Sequence, residues 1–184
     1  MYTNTNSFSK EFMDIIPHQL TQNVKLLQKA ALWHNGKVLI LKRSSKSTSR
    51  PDQWDLPGGN SEWPVDAQGQ RVMPGAISGE KEGLLRDMHK DDVVREVFEE
   101  TGIELQREDV KKCVHIGTFF DGQAQVFSII LGWEIKLEGD FKEDSVLLSE
   151  EHSDFKWIAK DEFENYDFGF AGEKEGFIRK IVGE

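Results

Sequence analysis

The stretch Arg95-Glu96-Val97-Phe98-Glu99-Glu100-Thr101-Gly102-Ile103 sets the strongest constraint on what this chain can become. Its apolar positions and its glycine stop signal ask for a helix, while its carboxylates oppose one. At about 100° per residue, Glu96, Glu99 and Glu100 are i, i+3 and i+4 neighbours on one helix face. Like charges at that spacing destabilise a helix by about 0.2–0.5 kcal/mol per pair. Gly102 reads as the residue just past the helix end, which puts Glu99 and Glu100 in the last turn. There the macrodipole disfavours anions by about 0.3–1 kcal/mol each. Selection for helix stability alone would place Lys or Arg at these positions. A bound hard cation is the simplest reason to accept the cost, because clustered carboxylate oxygens are what Mg²⁺ and Mn²⁺ select.

The 184 residues fit one domain with a core that needs no staples, and a chain 38% hydrophobic and 30% charged has the profile of a soluble globular protein. A net charge of −10 argues against a general polynucleotide surface or an anionic membrane as partner. It leaves room for a phosphorylated small molecule, since a bound divalent cation inverts the local sign of an acidic cleft. The single Cys113 excludes an intrachain disulfide and a cysteine-based zinc cluster, and is expected to fill an ordinary strand position. No apolar run reaches spanning length and the polar N-terminus carries no signal-peptide core, so a cytoplasmic protein is expected. The five histidines show no H-x-x-x-H spacing, which removes a zinc hydrolase from consideration.

Along the chain, residues 1–10 are polar and read as a loosely held arm. Phe12, Ile15, Ile16 and Leu20 recur at helical spacing and predict a short helix within 1–22. Val24–Trp33 and Lys37–Lys42 flank His34-Asn35-Gly36, and Asn-Gly between apolar runs predicts a tight hairpin. Ser44–Gln53 is a polar loop. Residues 60–83 hold no sustained period and read as a long loop. The acidic helix starts between Leu84 and Asp92 and ends at Thr101, with Val97, Phe98 and Ile103 as the apolar positions that anchor it. Strands are predicted at Lys112–Phe120 and Ala124–Leu137, joined at Asp121-Gly122, and at Phe155–Ile158. Lys160–Phe163 and a C-terminal segment within 168–184 predict helices, the last presenting Phe177, Ile178, Ile181 and Val182. This order indicates a mixed α/β (α+β) sandwich and not a doubly wound parallel sheet.

Arg95 lies one turn before Glu99 and is placed to hydrogen-bond that carboxylate and fix its rotamer. Upstream, Trp54-Asp55-Leu56-Pro57-Gly58-Gly59 sets a rigid proline before two glycines, which lets backbone groups approach a ligand with no Cβ in the way. Taken singly, a Pro-Gly-Gly turn is usually only a turn and an acidic helix face is usually only solvated. Their joint occurrence is the signal.

Arg-Glu-Val-Phe-Glu-Glu-Thr-Gly-Ile matches the second half of the Nudix box, G-x5-E-x7-R-E-U-x-E-E-x-G-U with U apolar, at every specified position. The preceding Leu-Pro-Gly-Gly and the following Leu105 also fit, and the chain from about Val24 to Ile158 resembles a Nudix domain. The resemblance implies an α/β/α sandwich with a mixed sheet, and hydrolysis of a nucleoside diphosphate linked to another moiety. By the same carry-over Glu96, Glu99 and Glu100 bind Mg²⁺ or Mn²⁺, with the Gly58 carbonyl as a further ligand and Arg95 as a positioning group. The first half departs from the motif. The interval from Gly59 to Arg95 is about 22 residues longer than in the box, so residues 60–86 read as an insertion. Counting back from Arg95 puts Asp87 where the family has Glu; Glu80, Glu82 and Asp87 are all candidates for that supporting role. The insertion is either an inert surface excursion or a loop over the substrate, and Trp63 and Met73 are costly to leave in a purely solvated one.

A second acidic group, Glu150-Glu151-His152 before Phe155-Lys156-Trp157-Ile158, resembles the loop and strand from which many Nudix hydrolases supply a glutamate. Glu151 is the candidate there, with Glu150 behind it, as a metal ligand or as the base that activates water. Glu96 and Glu151 are the two contenders for general base. On the substrate side, Lys42 and Arg43 end the second strand and offer charge for phosphate, and Arg50 and Trp54 lie in the next loop, where an aromatic face has a base to stack on. The expected partner is a small nucleotide or nucleoside diphosphate derivative. A homodimer is expected only by analogy with the family. The rival readings are a non-catalytic Nudix-type ligand sensor and an isoprenoid diphosphate isomerase, whose catalytic Cys has no evident counterpart in Cys113. RNA-cap removal is disfavoured by the absence of a basic patch.

Overall fold

Asn35 and Gly36 both take positive φ, 47° and 77°, which is the two-residue turn that the right-handed twist of paired strands favours. It joins β1 (Val24–His34) to β2 (Lys37–Arg43), as the Asn-Gly signal predicts. In this computed structural model, which describes residues 24–62, 88–121, 126–169 and 176–183, β3 (Trp54–Asp55) comes next. It is followed by helix α1 (Met88–Thr101), β4 (Lys112–Asp121), β5 (Val126–Lys136), β6 (His152–Ile158) and helix α2 (Phe177–Val182). The helix expected within 1–22 lies outside the described residues, as do Trp63, Met73, Glu80, Glu82, Asp87 and the Gly122 turn.

The strands form one mixed sheet in the order β3-β2-β1-β5-β4, with β6 paired to β2. The β1–β5 pair is parallel, and the others are antiparallel. β1 and β2 pair only beside their turn, at Trp33↔Val38 and His34↔Lys37, and then splay apart. Residues 54–61 fill the opening. Trp54 and Asp55 pair with Lys42 and Leu41. The chain then crosses to β1, where the Pro57 and Gly59 carbonyls accept the Ala30 and Gln28 N–H groups at 2.8 and 2.9 Å, and the Ser61 N–H meets the Leu26 carbonyl at 2.8 Å. This satisfies backbone groups that two diverging strands would otherwise leave bare. Asn60 still bridges to Leu27, and most of the insertion expected at 60–86 lies outside the described residues.

β1 and β2 are buried on both faces, and side chains along them alternate between two cores. Ala30, Leu32, Leu39 and Leu41 pack with Val93 and Val97 of α1 and with Trp133 and Ile135. Ala31, Val38 and Ile40 pack with Trp54, Leu56, Ile158, Phe163 and the α2 residues Ile178, Ile181 and Val182. Helices on opposite faces of a mixed sheet make the α/β/α sandwich that the resemblance implies.

Local differences have local causes. α1 buries Val93, Val97 and Thr101, but Phe98 is 51% exposed, correcting its assignment as an anchor. One residue turns the helix by about 100° and carries Phe98 off the stripe that Val93 and Val97 define. Gly102, at φ 69°, ends the helix as expected, its N–H meeting the Phe98 carbonyl at 2.8 Å in the left-handed cap geometry. The expected C-terminal helix does not begin at 168. Phe168 stacks on Phe163 at 4.8 Å, Gly169 has φ 74°, and α2 starts at Phe177. The Lys160–Phe163 helix is a tighter 3₁₀ segment, Lys160–Asn165. Cys113 sits in β4, exposed. No helix among the described residues is long and apolar enough to cross a membrane.

Val97→Ala is expected to destabilise the fold by about 2 kcal/mol in urea unfolding, and Phe98→Ala by less than about 1 kcal/mol, because only the first opens a cavity. Equal losses would contradict the orientation of α1.

Candidate functional site

The helix face that the sequence marks as costly is divided by burial. Glu100 is 7% exposed, the Glu96 side chain is 15% exposed, and that of Glu99 is 55% exposed. Arg95 holds two of the three carboxylates, donating to Glu96 and to Glu99 at 2.9 Å each; sequence spacing indicated only the second. Its guanidinium offsets part of the repulsion along the helix and fixes both rotamers.

Two glycines bring the Pro57-Gly58-Gly59 turn against this face. Gly58 has φ 125°, and a Cβ there would stand 2.2 Å from the Gln28 carbonyl oxygen, so no other residue fits without moving β1. Its N–H donates to Glu100 Oε2 at 2.7 Å. A Cβ on Gly59 would lie 2.5 Å from a Glu96 carboxylate oxygen. The glycines therefore let a backbone turn approach two carboxylates closely.

The Gly58 carbonyl, expected as a metal ligand, accepts a hydrogen bond from Lys29 Nζ at 2.6 Å. Lys29 is a buried ammonium in the middle of β1. It also donates to the Leu56 carbonyl at 3.1 Å and to Asp55 Oδ2 at 3.0 Å. Asp55 is 1% exposed and accepts a short bond from Arg50 as well, with Arg43 3.9 Å away. Burial pushes the Asp55 carboxyl up, but the Lys29 ammonium and the Arg50 guanidinium outweigh it and hold the group below its ordinary value. Arg43 also donates to the Ser49 carbonyl and Ser47 hydroxyl, and Arg50 to the Phe168 carbonyl. Both arginines, expected at the substrate, hold the loop and face Asp55. Trp54 is buried and packs edge-on against Tyr166 at 5.3 Å, so its ring is core and not a platform for a base. Lys42 keeps a third of its side chain exposed and reaches Asp52 at 4.0 Å.

At the β6 end, Glu150 and Glu151 are exposed, and the Glu151 backbone carbonyl accepts the Ser44 N–H at 2.8 Å. Beside them His152 is buried, with Nε2 3.8 Å from Glu100 Oε1. Burial first, then the Lys29 and Arg43 charges, lower its pKa from 6.5 to about 4, so it is neutral near pH 7. Burial likewise raises Glu100 to about 8 against the opposing pull of Lys29 and the Gly58 N–H, and raises Glu96 despite Arg95.

The donor set fits a hard divalent cation in its chemistry. It consists of oxygens alone, and two of the carboxylates are stripped of water in a way that a cation would relieve. Among the described residues no three His, Cys, Asp or Glu side chains are gathered into a metal-holding group; Glu99 is turned outward to Arg95. Sequence reasoning missed Lys29, Asp55 and His152. The available signal was Gln28-Lys29 between the apolar pairs Leu26-Leu27 and Ala30-Ala31, since a charge flanked on both sides by buried positions demands a partner.

Compared by sequence, no family model and no curated protein matches the chain. Compared by structure, it shares the fold of Nudix hydrolases. A MutT protein from Methanosarcina mazei Go1 superposes with a TM-score of 0.53 at 22% identity, over 82% of this chain and 87% of that one. A MutT NUDIX hydrolase from Burkholderia pseudomallei gives 0.51 at 21% identity, over 75% and 84%. The E. coli dihydroneopterin triphosphate pyrophosphohydrolase gives 0.52 at 16% identity, over 88% and 92%.

A carboxyl whose folded pKa is raised from 4.5 to about 8 contributes stability below its unfolded pKa and loses it as pH rises through the folded one. His152, lowered from 6.5 to about 4, acts in the opposite sense, losing stability as pH falls through that window. In EDTA the melting temperature is therefore expected to fall as pH rises from about 6 to 8, and Glu100→Gln to remove most of that slope. A wild-type profile that is flat there would contradict the burial of Glu100.

Proposed function

We propose that this protein is a Nudix-type pyrophosphohydrolase that cleaves a diphosphate linkage in a nucleoside diphosphate derivative or nucleoside triphosphate. The observation that carries the reading is the pairing of the α1 carboxylate face with the Gly58-Gly59 turn, locked by the Gly58 N–H on the buried Glu100. The hydrolase names of solved structures with the same fold support it. Glu96, Glu99 and Glu100 would hold Mg²⁺ or Mn²⁺, whose charge would offset that of the phosphates and stabilise the leaving phosphate.

In this reading water attacks phosphorus and the bond from that phosphorus to the bridging oxygen breaks. Glu96 accepts the water proton, and the departing phosphate carries the electron pair. Glu96 is preferred to Glu151 as base because it lies beside the turn, largely buried, and that burial raises its pKa above the usual carboxylate value. Arg95 keeps Glu96 in its rotamer by the 2.9 Å bond. Lys42, not committed to Asp55, is the cation offered to a phosphate oxygen. The reading places the protein in the cytoplasm as a small-molecule enzyme, and a homodimer remains a proposal by analogy.

Two measurements test the reading. A panel of normal and oxidised nucleoside triphosphates, ADP-ribose, nucleotide sugars and dinucleoside polyphosphates, each with Mg²⁺ and Mn²⁺, is expected to yield one class of substrate releasing phosphate or pyrophosphate. Tight binding with no turnover would instead favour a ligand sensor, and an isomerised product with no phosphate released would favour the isomerase. On the active substrate, Glu100→Gln is expected to keep the fold and lower kcat by about 100-fold or more. Near-wild-type turnover would remove the metal-site assignment.

A further inference from the structure

The site carries a cation of its own, which sequence motifs do not account for. Lys29 Nζ is enclosed by the Asp55 carboxylate and by the Leu56 and Gly58 carbonyls, at 3.0, 3.1 and 2.6 Å. Its side chain is 9% exposed, so water does little to screen its charge. Asp55 also receives Arg50 and, at longer range, Arg43. The lysine therefore shares its counter-ion with two other cations, and its field is not cancelled by one carboxylate. On its far side that field falls on α1: Gly58, whose carbonyl holds the ammonium, uses its own N–H to hold Glu100.

We propose that Lys29 is an internal cation that occupies the Gly58 carbonyl and weakens the hold of the Glu96, Glu99 and Glu100 face on a divalent ion. This rests on the metal-dependent reading above and deepens it in two respects. A carbonyl already bonded to an ammonium at 2.6 Å is a poor ligand for a second cation, because the two charges would meet at one oxygen. That leaves the metal to the carboxylates. The fixed positive charge also lowers the cation affinity of those carboxylates. A proton competes for the same oxygens, but a dication responds to a given change of potential with twice the free energy, so removing the lysine favours metal over proton. The consequence is a site that loads its divalent ion weakly by itself and more fully when substrate phosphates bring further oxygens.

The test is Mn²⁺ binding to the substrate-free protein, read by calorimetry and by the loss of the free-Mn²⁺ electron-spin-resonance signal. Lys29→Met removes charge and donor together. Lys29→Gln keeps an N–H donor for the Gly58 carbonyl and removes only the charge, and it is the variant to use should the methionine not fold. Either is expected to bind Mn²⁺ about threefold or more tightly than the wild type at pH 7.5. A purely structural role would instead lower the Mn²⁺ stoichiometry in step with the folded fraction and leave the affinity of the folded molecules unchanged. Unchanged or weaker binding by a folded variant overturns the proposal. So does failure of both variants to fold, which would make Lys29 a framework residue. Wild-type protein that binds no Mn²⁺ removes the metal reading and this proposal together. Wild-type protein that binds Mn²⁺ but hydrolyses nothing in the panel removes the enzymatic reading alone, and the variants still decide the role of Lys29.

Discussion

β1 and β2 stay paired for two residue pairs and then separate, and the remainder of the site depends on what enters the gap. Strands that part leave two rows of backbone donors and acceptors, and burying them bare would cost more than any side-chain contact nearby returns. Residues 54–61 take up both rows, first against β2 and then against β1. In crossing between them the chain must turn, and Pro57-Gly58-Gly59 is that turn. The same geometry requires Gly58, because a Cβ would meet the β1 backbone. The turn thus reaches the carboxylates of α1 as a by-product of satisfying the sheet.

Charge is then arranged around that turn. Arg50, Asp55, Lys29, the Gly58 peptide and Glu100 form a continuous chain of hydrogen bonds from the 44–53 loop to the helix. Removing one member of a buried ion pair costs about 3–5 kcal/mol, because the other is left unpaired in a medium of low polarity. That penalty explains why Arg43 and Arg50 face inward to Asp55 and not outward to solvent. It also separates the three helix carboxylates. Glu100 belongs to the buried chain, Glu99 to the surface, and Glu96 lies between them on the Gly59 side, held by Arg95.

Much of the fold was legible because its signals are local. Asn35-Gly36 needs positive φ at both residues, Gly102 needs it at a helix end, and the β-branched and aromatic residues that mark β5 are a short-range pattern. The acidic face of α1 was legible for the same reason, since spacing along one helix is a property of a few consecutive residues. Phe98 was misplaced because an apolar residue on a helix has several faces available, and which one meets the sheet depends on the partner. The partners of Arg43, Arg50 and Trp54 were not legible for a related reason. A cation or an aromatic ring in a loop carries no mark of whether it will meet a ligand, a buried carboxylate or another ring.

The sequence by itself determined that three carboxylates share one helix face, that a glycine turn precedes them, and that strands and helices are mixed in one sandwich. These follow from helical and strand periodicity and from the few residues that tolerate positive φ; helices on both sides of the sheet were implied only by the resemblance to a family. The tertiary structure alone decided which carboxylate is buried, that His152 approaches it, and that Lys29 holds the Gly58 carbonyl. Those outcomes depend on which surfaces are brought out of water together, by groups about 29 to 52 positions apart in the chain. No pattern along the sequence encodes the desolvation that such an encounter imposes.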